Sequence, residues 1–274
     1  DLMATPLIYP GQRLQATLIA PPDNTSALNV RLCYRVYDDN NQLTPQYGDA
    51  QIIAPGESLT LALDLPDCQG QPIGEIGVTI STDARVARGR LLIDSMRWDG
   101  APELTLRKPA GETNFWWRAW VNGVDLFSRH YPTSFRISKE YDEGLIIHGT
   151  RQWDNYRVQS DITLHSGEYG GLAFRVQGMR RYYAARILRD GKLQIVRVRD
   201  TSTKILAEAA LSDVYERPVS FDISVNGQII SATVDGKTLH VEDAEHEALM
   251  DGGIGLLICA GALSTDAIHI SASC

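Results

Sequence analysis

The chain has 274 residues, 43% apolar and 22% charged, and its 34 acidic against 26 basic residues leave a formal net charge of -8. The apolar fraction excludes general disorder, and the acidic balance gives a nucleic-acid backbone little to bind. No apolar run approaches the ~18 residues of a membrane helix, so the chain reads as soluble, without membrane insertion, and long enough for two domains at about 150 residues each.

Asp1 rather than Met opens the sequence, and no basic segment followed by an apolar one marks a secretory signal; the chain reads as a processed product or an excised fragment. Asp23-Asn24-Thr25-Ser26 reads as a loop, with Asn24 in an Asn-x-Ser glycan-acceptor pattern. Period-two alternation follows. Val30, Leu32, Tyr34 and Val36 share one face of a strand, and Arg31, Cys33, Arg35 and Tyr37 the other. Leu59, Leu61, Leu63 and Leu65 alternate likewise, as do Ile76, Val78 and Ile80. Residues 91–98 form a further strand-like run with Asp94 among apolar neighbours. An acid there needs a partner: either a loop that it caps by hydrogen bonding, or a structural calcium, which takes carboxylate and carbonyl oxygens.

The polar, Pro- and Gly-containing stretch at residues 108–113 marks a boundary that divides the chain into 1–108 and 109–274. Beyond it, Phe115-Trp116-Trp117-Arg118-Ala119-Trp120 holds three of the five tryptophans. Val158, Ser160, Ile162 and Leu164 alternate, as do Val219, Phe221, Ile223 and Val225. Within residues 172–176, Leu172, Phe174 and Val176 point one way and Ala173 and Arg175 the other, the pattern of an exposed or concave sheet surface. Asp190-Gly191, Asn226-Gly227 and Asp235-Gly236 supply the positive φ angles of tight hairpins. Helical pattern is confined to residues 203–212, which also read as a strand plus a loop, and to residues 241–250. Glu242, Asp243, Glu245 and Glu247, with His246, read as an exposed polar segment. The fold class is therefore all-β: two mostly antiparallel β-sandwich or jelly-roll domains in tandem. Cys33, Cys68, Cys259 and Cys274 match no zinc spacing. They read as buried free thiols, with one bridge, Cys33 to Cys68 or Cys259 to Cys274, left open for an exported protein.

No metalloprotease, nucleophile-elbow, P-loop or dinucleotide motif occurs, so no catalytic residue is assigned. The chemistry that is present is aromatic side chains beside arginines. Flat rings stack on the C–H faces of sugar rings, and Arg, Gln, Asn and Asp bond hydroxyls directionally.

The stretches Ile8-Tyr9-Pro10-Gly11, Gly70-Gln71-Pro72-Ile73, Leu92-Ile93-Asp94 and Trp98-Asp99-Gly100-Ala101-Pro102 resemble the galactose-binding-like jelly rolls of accessory carbohydrate-binding modules. The stretches Trp117-Arg118-Ala119-Trp120-Val121-Asn122-Gly123-Val124-Asp125, Gly149-Thr150-Arg151-Gln152-Trp153, Arg175-Val176-Gln177-Gly178-Met179-Arg180-Arg181-Tyr182-Tyr183 and Gly252-Gly253-Ile254-Gly255 are similar to a concanavalin-type lectin/glucanase sandwich. Together they resemble the C-terminal extension of bacterial ADP-ribosylglycohydrolase-family proteins. The resemblance implies a parent hydrolase domain in cis acting on an N-glycosidic or ADP-ribose-type bond. That domain is all-helical and binds magnesium in the family, and nothing in this chain resembles it.

Three functions follow as expectations. In the first, the chain is a noncatalytic region binding a glycan or oligosaccharide through its second domain, in an extracellular or periplasmic setting. Trp153 stacks, and Arg175, Gln177, Arg181 and Tyr183 bond hydroxyls; no cofactor is required, and Asp94 is the one structural-calcium position. In the second, the sandwiches pack on or oligomerise the parent enzyme, with residues 116–120 as the interface patch. In the third, the chain is itself a sandwich-fold enzyme, which needs two carboxyls about 5–10 Å apart across a cleft.

Overall fold

A computed structural model describes residues 5–85, 88–109, 115–131, 133–212 and 214–273. The first unit is built from β1 (Arg13–Ile19), β2 (Leu28–Tyr37), β3 (Leu43–Tyr47), β4 (Gln51–Ile53), β5 (Ser58–Asp64), β6 (Ile73–Ser81) and β7 (Leu92–Asp99). One sheet runs β5-β1-β7, and the facing one has β2 at its centre with β3, β4 and β6 as neighbours, all antiparallel. Alternation decides what is buried. Leu14, Ala16 and Leu18 of β1 meet Val30, Leu32 and Tyr34 of β2 in one cluster with Ile53 and Leu61.

Next come β8 (Leu104–Arg107), one helical turn α1 (Phe115–Arg118), β9 (Val121–Asn122), β10 (Leu126–Phe127), β11 (Phe135–His148), β12 (Tyr156–Ser166), β13 (Tyr169–Gly178) and β14 (Arg181–Leu188). The chain ends with β15 (Lys192–Arg199), β16 (Ser202–Ala210), β17 (Val219–Asn226), β18 (Ile229–Val234), β19 (Lys237–Glu242), β20 (Gly253–Thr265) and β21 (Ala267–Ala272). The main ladder runs β16-β15-β14-β13-β20-β12-β17-β18-β19. It folds over on itself because β11 and β20 pair along both halves: residues 135–139 with 261–265, and residues 143–148 with 254–259. The first half of β20 also pairs with β13 and the second half with β12, so these long strands pass from one layer to the other. β16 and β19, the two ends of the order, come into contact and close the sandwich. Leu172, Phe174, Tyr183 and Ile195 from one layer meet Val158, Ile162, Phe221 and Ile230 from the other, all fully or almost fully buried.

The hairpin dipeptides sit where their chemistry requires. Asp190-Gly191 joins β14 to β15, and Asp235 and Gly236, at φ 49° and 79°, join β18 to β19. Residues 203–210 extend as β16, paired with β15, so the strand reading of this segment holds. Residues 243–250 are not helical; Glu242, Glu245 and His246 are exposed, as the exposed-segment reading has it, but Asp243 departs from it, 3% exposed and tying the segment to β14 and β15. Asn24 is buried at 7% exposure and clamps Arg90, donating to its carbonyl and accepting from its amide, both at 2.9 Å. Its amide is thus committed inside the fold, against the glycan-acceptor reading. Cys33, Cys68 and Cys259 are free thiols, Cys33 and Cys68 only partly buried; Cys274 lies outside the described residues.

Leu104–Arg107, on the near side of the boundary expected at residue 108, pairs with β21 of the larger sheet. Tyr9 enters the larger core, edge-on to Trp153 at 4.8 Å and to His148 at 5.4 Å. Phe115 stacks on Tyr37 at 4.4 Å, and the Trp98 indole N–H donates to Gln152 Oε1 at 2.6 Å.

Candidate functional site

The residues expected to hold a sugar divide into an interior set and a surface set. Trp153 is 1% exposed, with Tyr9 against it and the backbone of Gly149 close enough that a Cβ there would sit 2.6 Å from the ring. Arg175 is also 1% exposed. Strict alternation would turn it outward with Ala173, but the β13 ladder slips between Phe174 and Val176 and Arg175 adopts φ 47°. Its side chain therefore swings inward and donates to the carbonyls of Asp154 at 3.1 and 3.2 Å and of Leu249 at 3.0 Å. Tyr183, likewise 1% exposed, donates to Asp243 at 2.6 Å and accepts the Leu249 amide at 3.0 Å. These three side chains are internal struts that offer no face to a ligand, which corrects their assignment as sugar contacts. Gln177 and Arg181 reach the surface but are engaged, Gln177 with Asp251 at 2.9 Å and Arg181 with Asp200 at 3.1 Å.

Asp94 falls at the irregularity in the pairing of β7 with β1 and is exposed, so water supplies the solvation the sequence reading sought from a partner. Among the described residues, no three His, Cys, Asp or Glu side chains gather to hold a metal ion. Most of the Trp cluster is interior: Trp116 and Trp120 are 3% and 6% exposed, while Trp117 and Arg118 are half-buried, so two of its three indoles are unavailable to an interface patch.

A different surface has the required character. The face of β11, β20, β13, β14 and β15 turned away from the sandwich core carries a second apolar cluster, with Leu145, Ala173, Tyr182, Val196 and Leu257 at 2% exposure or less. Tyr169 and Met179 pack against it, and the Arg186 guanidinium lies 4.4 Å over the Tyr169 ring. A groove of about 620 Å3 opens over this face. Leu145 and Val198 line it, with Asp142, Glu143, Glu168, Tyr169 and Cys259 at one end and Met179, Arg180 and Thr203 at the other. Its lining is mostly polar, with Asp200 and Thr201 beside the residues above, and the cluster's Ala173, Tyr182, Val196 and Leu257 lie beneath it without lining it.

Glu143 is its polar centre. It accepts from the Tyr169 hydroxyl at 3.1 Å and from the Tyr182 hydroxyl through its other oxygen. Burial first, and the Glu143 charge second, push both phenols up, so both remain proton donors. Arg186 is held by Gln194 Oε1 at 2.9 and 3.0 Å, and Gln194 donates to Glu208 at 2.6 Å. Cys259 Sγ lies 3.7 Å from Glu168, and burial pushes its thiol up. Glu143 reaches this position because the ladder of β11 with β20 breaks between Lys139 and Glu143, where Asp142 adopts φ 57°. Such bulges re-aim side chains. Tyr141, on the same bulge, projects at 72% exposure with its ring free for stacking. The sequence reading passes over this segment. The available signal is Lys139-Glu140-Tyr141-Asp142-Glu143, a charged run between the apolar ends of one strand.

No family model matches the chain, and no curated protein sequence matches it. Among solved structures, a carbohydrate binding module, CBM66, from Bacillus subtilis aligns over 56% of this chain and 95% of its own, at 14% identity and TM-score 0.49. A Bacillus subtilis protein of unknown function with a galectin-like fold aligns over 59% and 92%, at 10% identity and TM-score 0.45. A GH43 protein from Bacillus licheniformis covers 74% of this chain and 47% of its own, at 13% identity and TM-score 0.45. At these values the likenesses leave function to the chain's own residues.

Proposed function

We propose that the chain is a noncatalytic carbohydrate-binding region, with the glycan lying in the outer groove of the second unit. The observation that carries the reading is the groove itself: the Tyr169 ring and Met179 beside a carboxylate fixed by two tyrosine hydroxyls, with the exposed Tyr141 ring on the adjoining bulge. A sugar presents the complementary surfaces, an apolar C–H face and directional hydroxyls. The accessory role to a hydrolase domain in cis, of ADP-ribosylglycohydrolase type, belongs to the same proposal and rests on the sequence resemblance; the division into units 1–108 and 109–274 belongs to it too and rests on the polar Pro- and Gly-containing stretch at residues 108–113.

The test is a thermal-shift and affinity-gel screen against polysaccharides and small glycans. A ligand at a hundred times its Kd adds about 2.7 kcal/mol to the folded state. Binding that weakens on Tyr141→Ala supports the reading; silence across neutral, acidic and amino glycans contradicts it. A second reading, hydrolysis in the same groove, draws on Glu143 and Glu168 lining one cleft. Release of reducing ends that stops in Glu143→Gln would favour it over binding alone.

A further inference from the structure

We infer that the surface around α1 and the connection from β10 to β11 is a second binding site, one that takes an acidic polysaccharide through its carboxylate or sulfate groups. The site shares no residue with the outer groove, and the inference stands apart from the reading given to that groove. Its parts are four cations set against aromatic rings. The Arg129 guanidinium lies 4.6 Å over the Trp117 ring, and that of Arg118 lies 5.8 Å over the same ring and 5.1 Å over Phe115. The Arg136 guanidinium lies 5.1 Å over Tyr131, whose carbonyl accepts from Lys108 Nζ. Phe115 is itself stacked on Tyr37, which anchors the ring under Arg118.

Cations gathered on neighbouring rings repel one another unless an anion lies among them. Among the described residues, none of the four forms an ion pair with a carboxylate, whereas Lys139, farther along β11, is paired with Asp125 at 2.7 Å. Asp266, next to the β20 residues that pair with Phe135 and Arg136, is taken by the Ser134 hydroxyl. Burial pushes the Lys108 ammonium down, with no neighbouring charge to offset it. A separate observation points to a ligand: the Trp117 indole N–H is shielded from water and finds no acceptor. Buried donors are seldom left unmatched. An oxyanion held by Arg118 and Arg129 brings acceptor oxygens to the same indole, and each guanidinium offers it a bidentate fork. Two cation pairs, one at Trp117 and one at Tyr131, suit a chain of repeated oxyanions better than a lone ion. Nucleic acid fits less well. Guanidinium groups lie on the rings where bases of a single strand would stack, and a duplex draws its affinity from more phosphate contacts than four cations make.

The test is calorimetry of the whole chain with heparin, polygalacturonate and a thymidine oligonucleotide. Heparin, polygalacturonate or both should bind, and raising salt from about 50 to about 500 mM should weaken that binding roughly tenfold or more. Arg129→Gln and Arg136→Gln should each cost about fivefold, with urea midpoints unchanged, and Arg129→Lys should restore part of the loss. Tyr141→Ala, beside the groove, should leave polysaccharide affinity unchanged. Binding of neither polysaccharide, or binding that both Arg→Gln variants leave intact, overturns the inference, as does binding lost in Tyr141→Ala. The oligonucleotide bound as tightly as heparin overturns the polysaccharide class. Loss of the groove reading alone, with polysaccharide binding still sensitive to Arg129 and Arg136, leaves this second site standing.

Discussion

Arg175, Trp153 and Tyr141 show how burial reverses the roles of similar side chains. Arg175 is a buried cation whose bonds go to carbonyl oxygens, so shortening it leaves those carbonyls unpaired in the interior. Arg175→Ala should lower stability by about 2–4 kcal/mol in urea unfolding, with glycan affinity of the folded fraction unchanged. Trp153→Ala should cost about 3–5 kcal/mol by leaving a cavity between Tyr9 and Tyr156. Tyr141→Ala should behave oppositely: an unchanged urea midpoint, because the ring is 72% exposed, and glycan affinity lower by about 1 kcal/mol, roughly fivefold. Residue alternation made Ala173 legible as an outward position. It misplaced Arg175 because a single left-handed residue at φ 47° reverses the phase of a strand, and nothing in an arginine announces that conformation.

At the scale of elements, the strands and hairpins were legible because two-residue periodicity and Gly-containing turns are local properties. Val219, Phe221, Ile223 and Val225 fall on β17; Asn226 closes that strand opposite Ile229, and Gly227 begins the two-residue turn, one place later than the Asn-Gly dipeptide suggests. The groove was not legible, because β11, β20 and β13 are distant in sequence and their juxtaposition is a long-range pairing. The expected helix at residues 241–250 failed for a related reason: Asp243 is captured by Arg197 at 2.8 and 2.9 Å and by Tyr183. Gly149 illustrates a junction that the fold fixes tightly. It ends β11 at φ 97°, with the Trp153 ring and the Gly253 backbone within 2.9 Å of where a Cβ would be. Gly149→Ala should therefore destabilise by at least about 1–2 kcal/mol, read as a lower midpoint with an unaltered m-value.

For the whole molecule, His148 couples the two units to pH. It is 4% exposed, between Tyr9 of the first unit and Trp120 of the second, with ring centroids at 5.4 and 4.8 Å. Burial pushes its pKa down to about 3, so the folded state holds it neutral. Unfolding restores a value near 6.5, and between these values the unfolded chain binds the extra proton. His148 thus contributes stability that is fully present above about pH 6.5 and is lost as pH falls towards about 3, at up to about 1.4 kcal/mol per pH unit. His148→Gln should flatten that part of the profile, measured as the difference between wild-type and variant urea stabilities at successive pH values. Parallel profiles for the two proteins would show that His148 does not set the acid limb.

The central claim is that ligand enters the outer groove and not the aromatic interior. The direct test is amide chemical-shift mapping of the nitrogen-15-labelled chain during titration with the glycan giving the largest thermal shift. The account predicts perturbations gathered at residues 141–145, 168–169, 179–180 and 259, which line or border the groove. Perturbations confined to residues 151–156 and the loop at 249–252, around Trp153 and Arg175, would contradict it.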